Sequence, residues 1–164
     1  MDKVKILFVC LGNICRSPSA EAIFTKMVVD KGVNDMFVID SAGTSGWHNG
    51  DQADKRMQKY AIERGYDLVS LSRKFYAESD FDKFDLIIGM DNQNIYDLKL
   101  QAKDELEIEK IVKMTDYCVK FANYEEVPDP YFGGDAGFEL VLDILEDSCE
   151  NLLNRIIDIK KMLH

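Results

Sequence analysis

The chain is expected to fold as one α/β domain spanning residues 1–164, with a central four-stranded parallel sheet, helices on both faces and a glycine-bearing loop after the first strand. Two observations predict the architecture. Short apolar runs at residues 4–9, 36–39, 84–90 and 110–114 read as strands, and stretches of helical periodicity alternate with them. That alternation implies right-handed crossovers and a sheet covered on both sides. A third observation sets the domain count. The 164 residues hold no internal repeat, low-complexity tract or Pro/Gly-rich linker, and one core of ordinary size accounts for them.

The run at residues 4–9 is dense in β-branched and apolar side chains and ends at a Gly-containing loop, which suits a central strand. Pro18, behind Ser17, fits the first position of a helix. Ala20, Ile23, Phe24, Met27 and Val28 then fall on one helical face, and Gly32 marks the stop. Residues 36–39 read as the second strand and 41–51 as a loop, followed by a helix over 55–64 that stops at Gly65. After the third strand, Asp91 and Asn92 cap a helix reaching about residue 102. Residues 110–114 supply the fourth strand, 127–137 read as a loop, and a last helix covers about 138–162. Phe138, Leu142, Leu145, Leu152 and Ile156 form the inner face of that helix.

Composition narrows the function. Hydrophobic residues make up 46% and charged residues 30%, the balance of a soluble globular chain. A net charge of −10 argues against nucleic acid or an anionic membrane as the main partner. No apolar run approaches the roughly 18 residues a membrane helix needs, and the opening residues read as a strand instead of a signal peptide. The four cysteines, Cys10, Cys15, Cys118 and Cys149, are too sparse for a disulfide framework, so a reducing cytoplasm is the expected location. With no Cys-x-x-Cys pair and only His48 and His164 supplying imidazole, a structural zinc site is not expected; no other metal and no cofactor is expected either.

Residues 10–17 lie at the carboxyl end of the first strand, where ligands bind in such folds. A strand, an eight-residue turn and a helix N-terminus together form an anion trap: backbone N–H groups converge, and the helix dipole adds about half a positive charge. Gly12 permits positive φ, and Asn13 tolerates the left-handed region while its amide can brace the loop. The nucleotide-type Gly-x-x-x-x-Gly-Lys pattern is absent, and Arg16 stands in place of its lysine as a planar fork for two phosphate oxygens. Amides, dipole and Arg16 would all stabilise a Cys10 thiolate. A nucleophile and a phosphate clamp six positions apart permit in-line attack on phosphorus, and Ser17 can donate to the sulfur when it must leave.

Cys10-x5-Arg16-Ser17 after an N-terminal strand, with Asp129-Pro130-Tyr131 far downstream, resembles the low-molecular-weight protein tyrosine phosphatase family. The resemblance extends over Asp40-Ser41-Ala42-Gly43-Thr44, Trp47 and Met90-Asp91, essentially the full chain. It implies hydrolysis of phosphotyrosine monoesters through a cysteinyl-phosphate, with acid phosphatase activity on small aryl phosphates. Phosphotyrosine-bearing proteins or peptides would be the partners and inorganic phosphate the product. The expected state is a monomer, weak self-association being the alternative. With 30 acidic residues to choose from, composition does not select the general acid; the resemblance selects Asp129. It likewise implies that Cys10 and Arg16 are catalytic. Leu11, Gly12, Asn13, Ile14, Cys15 and Ser17 would bind the phosphate, Trp47 and Tyr131 would wall the pocket, and Asn13, Ser17 and Ser41 would brace the loop. Cys15 resembles the family's second loop cysteine, which implies a reversible Cys10–Cys15 disulfide after oxidation.

Two departures stand out. Ser70 occupies the place of a family histidine that bonds the loop asparagine, and Phe132 that of a second tyrosine. Two rivals share the fold. Thioredoxin-linked arsenate reductases relay a disulfide through cysteines near the third strand, and residues 73–98 contain none. The bacterial arginine phosphatase branch carries Thr where Ile14 stands and lacks the Tyr131 aromatic, so both residues favour phosphotyrosine. A phosphopeptide-binding pseudophosphatase is a third reading, opposed by Cys10, Arg16 and Asp129.

Overall fold

A computed structural model of the protein describes residues 2–131 and 133–163. Four parallel strands, β1 (Val4–Cys10), β2 (Phe37–Gly43), β3 (Leu86–Gly89) and β4 (Ile111–Lys113), lie in the order β2-β1-β3-β4. The predicted sheet is therefore present. Register aligns the strand ends: Cys10 pairs with Gly43, and Val9 pairs with both Ala42 and Gly89. The loop after β1 thus emerges from the middle of the sheet, between two neighbours that end level with it.

Alternation along β1 separates the two faces. Ile6, Phe8 and Cys10 join the cluster packed under α1 (Arg16–Asp30), α2 (Lys55–Glu63) and α6 (Asp135–Met162). Leu7 and Val9 join the opposite cluster, with Phe75, with Phe81 on α3 (Ala77–Lys83) and with Leu98 on α4 (Asn92–Gln101). Phe8, Phe24 and Phe37 form a tilted-to-edge stack with centroids 5.9 and 5.3 Å apart. Each such buried ring contributes about 1.5–3 kcal/mol through removal from water. The inner face of α6 carries Phe138, Leu142, Leu145, Leu152 and Ile156, all buried as expected.

Several boundaries differ from the sequence reading. α1 begins at Arg16, so Pro18 is its third residue; the first i→i−4 bond is made by Ser19 N to Cys15 O at 3.3 Å, so no helical bond is lost by a proline at position 18. β2 continues through Ser41, Ala42 and Gly43, which read as loop because Ser and Gly are turn formers; the β1 ladder overrides that preference. α3 and α5 (Glu105–Glu109) were not anticipated. Both are short and acidic, and α5 rests on the Asp104 cap, whose carboxylate accepts from Glu107 N at 2.9 Å. β3 starts at Leu86, two residues late, and α6 starts at Asp135, three early. Among the described residues no helix is long and apolar enough to cross a membrane.

Candidate active site

The loop at residues 10–17 is shaped by where its carbonyls go. Cys10 O accepts from Thr44 N and Leu11 O from Ser45 N, both at 2.9 Å. Gly12 O accepts from Ser72 Oγ at 2.9 Å, Ile14 O from Asp54 N at 2.8 Å and Cys15 O from Ser19 Oγ at 2.6 Å. Five carbonyls are thus tied outward to the body of the protein. Carbonyls tied outward in this way leave the concave side to the loop's N–H groups as an anion would need, and α1 begins there with no side-chain cap. Gly43 completes the fit: a Cβ at that position would lie 2.7 Å from Leu11 O.

Asn13 is the pin of the loop. It takes φ of +57°, the only non-glycine among the described residues with positive φ, and is buried. Its Nδ2 donates to Ser17 Oγ at 2.8 Å and to Ser41 Oγ at 2.9 Å, while its Oδ1 accepts from Arg73 N at 3.0 Å. The Asn13 donation occupies a lone pair of Ser17, whose own hydroxyl can then be given to Cys10 Sγ, 3.0 Å away. Ser41 passes its proton to Glu21 Oε1 at 2.6 Å, and Ser70 reaches the same atom at 2.9 Å. Burial pushes the Glu21 carboxyl above its ordinary value against the pull of those two hydroxyls. The departure at Ser70 is thereby accounted for: the loop asparagine is held by a backbone amide, and Ser70 serves Glu21 instead.

These contacts give a graded expectation. Asn13→Ala loses the three bonds and retains the left-handed strain, which should cost about 3 kcal/mol. Asn13→Gly loses the same bonds without the strain and should unfold at a higher temperature than the alanine variant. Thermal unfolding of both variants checks the order.

Arg16 is buried at the end of the loop. Its Nη1 donates to Asp91 Oδ2 at 2.7 Å and to Val127 O at 3.0 Å, and its Nη2 lies 3.5 Å from Asp129 Oδ2. Burial works against the guanidinium charge, but Cys10, Asp91 and Asp129 outweigh it and raise its pKa above the usual arginine value. Asp91 also caps α4 as the sequence suggests, its other oxygen accepting from Asn94 N at 2.7 Å. Asp129 is about one-third exposed, and its Oδ1 accepts from Tyr131 N at 3.0 Å.

Every predicted site residue comes together. Cys10, Leu11, Gly12, Ile14, Cys15 and Arg16 form the floor of one cleft, Trp47, Asp129 and Tyr131 its sides, and Asn13, Ser17 and Ser41 brace it from behind. Trp47 lines the cleft and is 82% exposed. Phe132 lies outside the described residues. Sequence reasoning missed His48, which also lines the cleft and holds Asp51 through Nδ1 at 3.2 Å, as well as Glu21 and Arg56. Nothing in their sequence context distinguishes them from other surface polar residues. No group of three or more His, Cys, Asp or Glu among the described residues is arranged to hold a metal.

A thiol seated in an anion-binding loop, closed by an arginine and overhung by a carboxylate at the strand ends of a parallel sheet, defines an α/β phosphate-handling protein. The family model described as low molecular weight phosphotyrosine protein phosphatase matches residues 5–162. The chain belongs to that family. It is 39% identical over 150 residues to the low molecular weight protein-tyrosine-phosphatase of Streptomyces coelicolor, covering 91% of each chain. The crystal structure of an Entamoeba histolytica protein tyrosine phosphatase, with Hepes in the active site, superposes with a TM-score of 0.92 at 48% identity, covering 96% of this chain and 99% of that one. The Drosophila arginine phosphatase DARP superposes with a TM-score of 0.85 at 35% identity, covering 93% and 98%.

Proposed function

We propose that the protein hydrolyses phosphotyrosine monoesters by two in-line displacements at phosphorus. The observation that carries this reading is the loop itself, with outward-tied carbonyls, Cys10 at its first position and the Arg16 fork at its end. Phosphate oxygens would take the inward N–H groups and the Nε–Nη2 edge of Arg16, because Nη1 is committed to Asp91 and Val127. The Cys10 thiolate forms an S–P bond as the P–O bond breaks, and Asp129 delivers its proton to the departing phenol oxygen. Water then attacks phosphorus, Asp129 takes its proton, and sulfur leaves as a thiolate stabilised by the Ser17 hydroxyl. Trp47 and Tyr131 would flank the phenyl ring. The route draws on no metal or cofactor, and turnover should persist in chelator.

A second substrate, phosphoarginine, is favoured by the likeness to DARP. Ile14 and Tyr131 line the cleft and speak for the flat aromatic substrate. Parallel turnover of phosphotyrosine, phosphoarginine and arsenate decides the matter. A kcat/KM highest for phosphotyrosine supports the reading, and a preference for either of the others replaces it.

Cys15 is buried beside Cys10, and burial, Asp54 and Cys10 together push its thiol well up, so its proton must leave as the sulfur attacks and can pass to the departing hydroxyl. Peroxide converts the Cys10 thiolate to a sulfenic acid, and the Cys15 sulfur displaces its hydroxyl as water to give a disulfide that added thiol reduces. Activity after peroxide should return with dithiothreitol in the native protein and fail to return in Cys15→Ser. Equal recovery in both removes the redox role. With four cysteines too sparse for a disulfide framework, the protein is proposed to act in a reducing cytoplasm, as a monomer.

A further inference from the structure

Asp129 sits on an irregular segment whose two ends are held differently. The upstream end is tied to the sheet by Val127 N, which donates to Met90 O at 2.9 Å, and to the site by Val127 O on Arg16 at 3.0 Å. The downstream end is gripped from the start of α2, where Arg56 Nη2 donates to Tyr131 O at 2.9 Å. The same guanidinium lies 5.6 Å from the Tyr131 ring centroid and 4.8 Å from that of Phe138 on α6. Arg56 is itself fixed by Asp54, which accepts from Nε at 3.3 Å and Nη2 at 3.2 Å. Asp54 also caps α2 through Arg56 N and Met57 N, and its own amide donates to Ile14 O in the anion loop at 2.8 Å.

One short unit, Asp54 with Arg56, therefore bonds on one side to the loop that carries Cys10 and on the other to the segment that carries Asp129. We infer that Arg56 is a positioning residue that sets the Asp129 carboxyl and the Tyr131 ring over the Cys10 loop. The inference rests on the phosphatase reading above, because a fixed separation between nucleophile and acid matters only if both act on one substrate. Its geometry explains the residue type: a planar fork can hold two Asp54 oxygens, one carbonyl and a ring face together, which an ammonium cannot. Displacing a group by about 1 Å at such a site can cost as much as a hundredfold in rate.

The test uses leaving groups. A phenol such as tyrosine departs poorly without a proton, whereas dinitrophenolate departs without help. Arg56→Gln should lower kcat/KM for phosphotyrosine about tenfold or more while changing 2,4-dinitrophenyl phosphate less than threefold, an intermediate cost for a misplaced group. Arg56→Lys, which can still reach Tyr131 O, should fall between Arg56→Gln and the native protein. In an Asp129→Ala background, Arg56→Gln should add little further loss, because the group it positions is gone. Losses equal for both substrates, or fully additive with Asp129→Ala, overturn the inference while leaving the phosphatase reading intact. If Arg56→Gln fails to fold, Arg56→Lys carries the same comparison. A native protein that turns over neither ester overturns both.

Discussion

Cys10→Ser should abolish turnover of aryl phosphates, with a fall in kcat of at least about 10⁴-fold, the scale seen when a covalent nucleophile is removed. The reason is chemical more than structural. A serine hydroxyl keeps nearly the volume of the thiol and can still bond Ser17, whose Oγ lies 3.0 Å from the sulfur. The outward carbonyl ties to Thr44, Ser45, Ser72, Asp54 and Ser19 involve no part of the Cys10 side chain, so the cradle should survive. What is lost is the sulfur nucleophile at the mouth of the loop. The variant should therefore bind phosphate or an aryl phosphate with near-native affinity, unfold at a temperature close to the native one and hydrolyse nothing. Calorimetric binding and single-turnover measurements check both halves. Residual turnover within tenfold of the native rate would mean that the attacking group lies elsewhere.

How much of this was legible depends on whether a signal is local. Residues 10–17 are local in sequence: strand, glycine, asparagine, cysteine spacing and arginine occur in one stretch, and the loop formed as read. The four strands were legible for the same reason, each being a short apolar run. Ser41 to Gly43 misled because their intrinsic preference is for turns, and only the ladder to Phe8, Val9 and Cys10 makes them strand. The partners of the loop are remote and polar. Glu21 lies on α1 and meets Ser70 across 49 residues, while Arg56 meets Tyr131 across 75. A single exposed-looking Glu or Arg carries no periodicity or turn chemistry to announce such a contact. Asp129 is the intermediate case: an Asp-Pro pair by itself marks a turn, resemblance supplied its role, and the fold brings its carboxylate to 3.5 Å from Arg16.

That placement sets up the second large effect. Asp129→Ala should lower kcat/KM for phosphotyrosine by about 10²–10⁴-fold, the usual contribution of a positioned acid. A dinitrophenyl ester, whose leaving group needs no proton, should lose far less in the same step. Binding should move the other way. In the free protein an ionised Asp129 lies 3.5 Å from the Arg16 Nη2 that a phosphate would take, so a dianion must either face that charge or bring a proton to it, and two unit charges about 4 Å apart in bulk water repel by about 1 kcal/mol. Removing that carboxylate should tighten dianion binding, by about fivefold if water screening holds. Slow chemistry and tighter binding together make Asp129→Ala a substrate trap, recovering phosphotyrosine proteins that the native enzyme releases. Asp129→Asn separates the two effects, because it removes the charge yet keeps an acceptor for Tyr131 N and the shape of the turn. If Asp129→Asn turns over phosphotyrosine as fast as the native protein, the carboxyl supplies no proton, and its role reduces to holding the Tyr131 turn.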